Sequence, residues 1–184
     1  MALLESLRQH RPEDAAERAS LGEIVAFVEG AGGHDPFDRL LPGAHLTGSA
    51  FVLSADGTKV LLLHHAKLGR WLQPGGHAEP GEARGEDVAL REAMEETGIP
   101  SLHLHPAAPR PFDVDVHVIP ERRGEPAHKH LDLRYLVRAP ESARLSPGEG
   151  ESRQVGWFAW DDLGGLGLDG GLRRALAKAK RLVP

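Results

Sequence analysis

The chain has 184 residues, 40% of them hydrophobic and 27% charged, with a formal net charge of −5 at pH 7. That length suits one domain with modest additions, and the acidic balance argues against nucleic acid as the main partner, which calls for a basic face. The sequence contains no cysteine, which removes disulfides, thiolate catalysis and Cys-based zinc sites together.

Residues 1–30 read as helical. Leu3, Leu4 and Leu7 form one apolar cluster, and Leu21, Ile24, Val25 and Val28 keep helical spacing until Gly30, Gly32 and Gly33. The segment is charged throughout its start, with no apolar stretch of the signal-peptide kind, and no later run reaches membrane-span length. The expectation is a cytoplasmic protein without a membrane partner. A helical extension over 1–40, either packed on the core or forming a homodimer interface, precedes a core domain over 41–184.

Residues 45–54 read as a strand, Ala55, Asp56 and Gly57 as a hairpin turn, and 59–65 as a second strand. A loop rich in Gly, Pro and Glu follows Trp71, then a short helix over 87–97 ended by Gly98. Strands are expected over 112–119 and 128–138, joined by a polar connection over 122–126, and over 155–160. A last helix near 172–182 carries a basic end, residues 173–181, that suits its dipole and calls for no partner. This alternation gives an α/β (α+β) sandwich.

The helix over 87–97 carries the chemistry. At about 100° per residue, Glu92, Glu95 and Glu96 fan over one side, while Leu90, Ala93, Met94 and Thr97 take the other. Like charges three and four apart repel, and Glu95 and Glu96 lie where the helix dipole disfavours anions. Arg91 offsets Glu95 one turn on, leaving three acids to one base. Carboxylates crowded this way suit a hard divalent cation, Mg²⁺ or Mn²⁺, with waters and phosphates completing its shell. Upstream, Gly75-Gly76 lets the backbone approach closely, so that a carbonyl can also serve as a ligand.

These residues resemble the Nudix box. Gly76 is followed five residues later by Glu82, and Arg91-Glu92-Ala93-Met94-Glu95-Glu96-Thr97-Gly98-Ile99 closes the box. Eight residues, one more than usual, separate Glu82 from Arg91, and Ala93 replaces a larger aliphatic. The resemblance implies an α/β/α sandwich with a mixed sheet and hydrolysis of a diphosphate in a small, nucleoside-diphosphate-like molecule. It also implies Mg²⁺ on Glu92 and Glu96, with Glu95 as a further ligand or water-orienting group, the Gly75 carbonyl as an added ligand, and Glu82 bracing Arg91. Glu151, in an acidic loop before the last strand, is a candidate general base. A non-catalytic binding module on the same scaffold would be expected to lose box carboxylates, and an isoprenoid-diphosphate isomerase to need a cysteine.

Eleven histidines form a second signal. Strand alternation puts His128, His130, Asp132 and Arg134 on one face and Asp113, Asp115 and His117 on another. Three readings stay open: substrate and phosphate contact through Arg134 and these histidines, a transition-metal site on His117, His128 and His130, or a solvated sheet face. Arg70, near His64 and His65, is a further candidate for phosphate contact, and Trp71 for core packing or base stacking.

Overall fold

The computed structural model describes residues 3–122, 124–146 and 152–183. The N-terminal segment forms two helices, α1 (Leu3–Gln9) and α2 (Ala15–Gly30), where the sequence reading had one. Pro12 falls in the break, and Asp14 starts the second helix by accepting the Glu17 N–H at 2.7 Å. The strands follow as β1 (Ala44–Leu53), β2 (Lys59–His65), β3 (Arg70–Leu72) and β4 (Gly75–His77), before helix α3 (Gly85–Thr97). Then come β5 (His103–Leu104), β6 (Asp113–Ile119), β7 (His128–Arg138), β8 (Ser152–Ala159), a 3₁₀ turn (Trp160–Gly165) and helix α4 (Gly170–Leu182). The three short strands β3, β4 and β5 went unread because two or three residues carry no period.

All eight strands join one curled, mixed sheet. β1 is its axis: it runs parallel to β7 from Ala44↔Lys129 to Leu53↔Arg138 and antiparallel to β4 through Thr47↔His77 and Ser49↔Gly75. β2 carries β3 and β8, and β7 carries β5 and β6. Strand alternation divides β1 between two cores. Leu46, Ala50 and Val52 pack with Val88, Ala89 and Ala93 of α3, whereas Phe51 and Leu53 pack with Leu172, Ala175 and Leu176 of α4. Helices therefore cover both faces of the sheet. Leu7 and Ile24 of the first two helices are buried in the same core as α3.

The basic residues of α4 depart from the sequence reading. Arg174 is 7% exposed and pairs with Asp113 at 2.9 Å and with Asp115 at 3.3 Å, while Lys178 meets Glu17, whose side chain is fully buried. The helix end thus serves buried carboxylates as well as its own dipole. Sequence periodicity could not reveal this, because those partners lie on α2 and β6.

Candidate active site

The acidic helix sits against β1 with almost no gap. A Cβ on Gly48 would lie 2.6 Å from the Gly85 carbonyl oxygen and 3.0 Å from the Val88 Cβ, so glycine in β1 sets the depth at which α3 rests. The helix begins after an extended Arg84 and ends at Gly98, whose φ of 69° is the left-handed conformation that glycine takes without strain. The Glu82–Arg91 pair forms across the eight residues that separate the two.

That pair is a fork. Arg91 donates from Nε to Glu82 Oε1 and from Nη2 to Glu82 Oε2, each at 3.0 Å, and Nη2 also donates to the His77 carbonyl at 2.7 Å. Its Nη1 reaches Glu92 Oε1 and Glu95 Oε2, each at 3.1 Å. One guanidinium thus joins the loop carboxylate, the β4 backbone and two helix carboxylates. Planar, bidentate pairing of this kind requires arginine rather than lysine.

Glu96 reaches the same loop by another route, its Oε2 accepting the Gly75 N–H at 3.0 Å. Glu92 lies beside Gly76, where a Cβ would come within 2.5 Å of Glu92 Oε1. Glu92 and Glu96 are therefore gathered at the Gly75–Gly76 strand, and Glu95 is joined to Glu92 through Arg91 Nη1. Glu95 is the outermost member of the Arg91 group, its side chain 58% exposed against 18% for Glu92.

The electrostatics of the two braced carboxylates differ in sign. Burial pushes the Glu82 carboxyl up, but Arg91 and the Glu79 N–H outweigh it and hold the group below the ordinary glutamate range. Burial raises Glu92 above that range despite Arg91, and the neighbouring Glu95 and Glu82 add to the rise. Glu92 is thus an anion short of positive charge.

The substrate-contact candidates separate. Arg134 is 4% exposed and pairs with Asp113 at 3.1 Å, Asp132 at 3.1 Å and Asp115 at 3.2 Å, while Thr47 and Ser49 donate to Asp132. This arrangement gives Arg134 a structural task in place of the expected phosphate contact. Its three carboxylates offset the cost of burying a guanidinium, and α4 closes over them through the Gly171 carbonyl.

Arg70 stands at the end of β3, half exposed, 3.8 Å from Asp169. His117 is more exposed than the neighbouring Asp115, and its Nδ1 lies 3.6 Å from that carboxylate. His128 and His130 turn toward each other and toward His45 and His77, two histidines the strand reading did not single out. His45 shares a face with Thr47 and Ser49, but only the parallel register of β1 on β7 brings it beside His130. Trp71 takes the packing role, edge-on to Phe158 with centroids 4.8 Å apart. Glu151 lies outside the described residues. A cleft of about 340 Å³ between α1, residues 107–112 and α4 contains none of the box carboxylates.

The model of the NUDIX domain matches residues 44–181. A Lactococcus lactis protein named probable DHNTP pyrophosphohydrolase is 30% identical over 129 residues, which is 69% of this chain and 73% of the relative. Among solved structures, a NUDIX-family hydrolase from Clostridium perfringens has 26% identity and a TM-score of 0.58 over 77% of this chain and 99% of its own. A Caenorhabditis elegans Ap4A hydrolase has 20% identity and a TM-score of 0.56 over 72% and 93%, and shares the fold. The match over most of the chain, added to the box residues assembled around Arg91, places the protein in the Nudix family as one of its hydrolases.

Proposed function

We propose that this hydrolase cleaves a diphosphate linkage in a nucleoside-diphosphate-like small molecule, using Mg²⁺, or Mn²⁺, held by Glu92, Glu95, Glu96 and the Gly75 carbonyl. The observation that carries the reading is the meeting of Glu92 and Glu96 at Gly75–Gly76, with Glu95 of the same helix turn joined to Glu92 through Arg91. The residues suit such an ion. Their donors are all hard oxygens, Glu92 is an anion whose charged form is disfavoured, and Gly76 leaves open the space a side chain would take from it. A divalent cation there supplies neutralisation of phosphate charge and activation of a water.

The remaining work belongs to the chain. Arg91, locked by Glu82 and the His77 carbonyl, fixes the directions of Glu92 and Glu95. The Gly75 amide fixes Glu96. Positioning and electrostatics of this kind carry most of the rate in substitution at phosphorus. Glu95 and Glu96 are the candidates within the box for taking the proton from the attacking water, with Glu151 a candidate outside it. Arg70 and His117 are the exposed groups of this set suited to a substrate phosphate.

The relatives suggest a substrate panel of nucleotide-like di-, tri- and tetraphosphates. One is named for DHNTP, another for Ap4A, and a third is an NrtR NUDIX domain crystallised with ADP ribose. The test is a screen of dihydroneopterin triphosphate, Ap4A and ADP-ribose with and without Mg²⁺, with Glu96→Gln as control. We expect Mg²⁺-dependent turnover of at least one member, and a loss of at least about 100-fold in the variant, the scale on which a preorganised charge contributes to a transition state. No turnover across the panel, or an unchanged Glu96→Gln rate, overturns the proposal.

A further inference from the structure

On the sheet face away from α3, imidazoles from three strands converge. Parallel pairing of β1 with β7 sets His45 beside His130, β4 brings His77 opposite Thr47, and His128 lies two residues from His130 on the same face. Ring centroids of His77, His128 and His130 lie 5.0, 5.1 and 4.9 Å from that of His45. The Nε2 atom of His130 is 3.1 Å from Nε2 of His77 and 3.3 Å from Nε2 of His128. Ring nitrogens of His45, His128 and His130 all fall within 4.8 Å of one another.

Hydrogen bonding among these groups does not account for the arrangement. His130 Nε2 has one hydrogen or one lone pair, yet it faces two other nitrogens at bonding distance. His45 is 3% exposed, and neither of its ring nitrogens has a hydrogen-bond partner among the described residues. Each such buried orphan has lost its water without gaining a partner, a cost that a ligand would remove. Nitrogens about 2.0–2.1 Å from a tetrahedral zinc are necessarily about 3.3 Å apart, the spacing seen around His130. His128 also has the outer contact a ligating histidine needs. Its Nδ1 is 2.9 Å from the Pro126 carbonyl, so the hydrogen sits there and Nε2 presents its lone pair to the cluster.

We propose that His45, His77, His128 and His130 form a zinc site, separate from the carboxylate site, that ties β1, β4 and β7 together. The ligands are neutral imidazoles, borderline donors that suit Zn²⁺ rather than Mg²⁺. β4 carries Gly75 at one end and His77 at the other, and the His77 carbonyl accepts from Arg91. The ion would thus clamp the strand that holds the box.

The test uses tag-free full-length protein, loaded with Zn²⁺, dialysed into metal-free buffer and analysed by mass spectrometry for metal. We expect about one zinc per chain in the wild type and equally in the Glu92→Gln/Glu96→Gln double variant. His128→Asn and His45→Phe should each weaken binding at least about tenfold, with circular dichroism confirming that they fold. Co²⁺ in the wild type should give the intense visible bands of tetrahedral nitrogen coordination, a readout that needs no variant. No retained zinc with no such bands, zinc lost from the double glutamate variant, or unchanged binding by both folded histidine variants overturns the site. None of these outcomes bears on diphosphate hydrolysis, whose failure would appear in the Mg²⁺ assays alone.

Discussion

The chain leaves no room for a methyl at Gly76 unless Glu92 moves, since the added Cβ would sit 2.5 Å from Glu92 Oε1. The obstructing atom is the tip of a flexible side chain, so Gly76→Ala should fold with a denaturation midpoint near that of the wild type. It should still lose at least about tenfold in kcat, because catalytic groups displaced by about 1 Å can cost a factor of 100. Steady-state kinetics beside a thermal melt check this, and equal losses of rate and stability would refute it. Glu92→Gln tests the opposite balance. Burial holds this carboxyl above the ordinary range, so its charged form weakens the metal-free fold at pH 8, and neutralising it should add up to about 1 kcal/mol while activity falls. Urea titration in chelator measures the gain. The site itself was legible because Arg91, Glu92, Glu95 and Glu96 share one helix, where spacing fixes neighbours. The His45–His77–His130 grouping was not, because its members come from three strands whose register no single segment reveals.

At the scale of elements, long periodic segments declared themselves and buried charge did not. β2 (Lys59–His65) occupies the span expected after the hairpin turn and β7 (His128–Arg138) the span expected from alternation, whereas α4 looked like an ordinary amphipathic helix with a basic tail. Its Arg174 and Lys178 instead reach Asp113, Asp115 and Glu17 across two other elements. Glu17 is the junction. It accepts from the Glu13 N–H at 2.7 Å, lies 2.7 Å from His10 Nε2 and receives Lys178. Removing one partner of a buried pair leaves an uncompensated charge, at a typical cost of 3–5 kcal/mol. Lys178→Met should therefore destabilise the protein by about that amount, and Glu17→Gln/Lys178→Met by clearly less than the sum of the two single changes. Chemical denaturation of the four members of this cycle supplies the coupling. Additive losses would mean that the α2–α4 contact does not work as a pair.

Across the whole molecule, charged braces stand on both faces of the sheet. Glu82 meets Arg91 beside α3, Glu86 meets Arg84 and Tyr135 at the start of that helix, and Asp115 and Glu17 meet Arg174 and Lys178 below α4. Burial works against the charged form of each of these four carboxyls, and in each case cationic and hydrogen-bonding partners outweigh it and lower the pKa. A carboxyl lowered in the fold contributes stability that is complete above its unfolded value, about 3.9 for Asp and 4.3 for Glu, and is lost as pH falls below it. Glu92 has the opposite sign and gives back part of this loss as it takes up a proton. Burial also holds His45, His105 and His130 below the ordinary histidine range. Stability should therefore begin to fall as pH drops through about 6.5, where the unfolded chain takes up protons that these rings refuse, and fall further below about 5 as the braced carboxyls titrate, each group adding up to about 1.4 kcal/mol per pH unit to the slope. Because the braces fasten helices to both faces of one sheet, tryptophan fluorescence and far-ultraviolet circular dichroism should report the same acid transition. Glu17→Gln should start from lower stability at pH 7 and show a shallower acid slope. A wild-type curve that stays flat to pH 3, or two transitions that separate, would show that these ion pairs do not govern the fold as a unit.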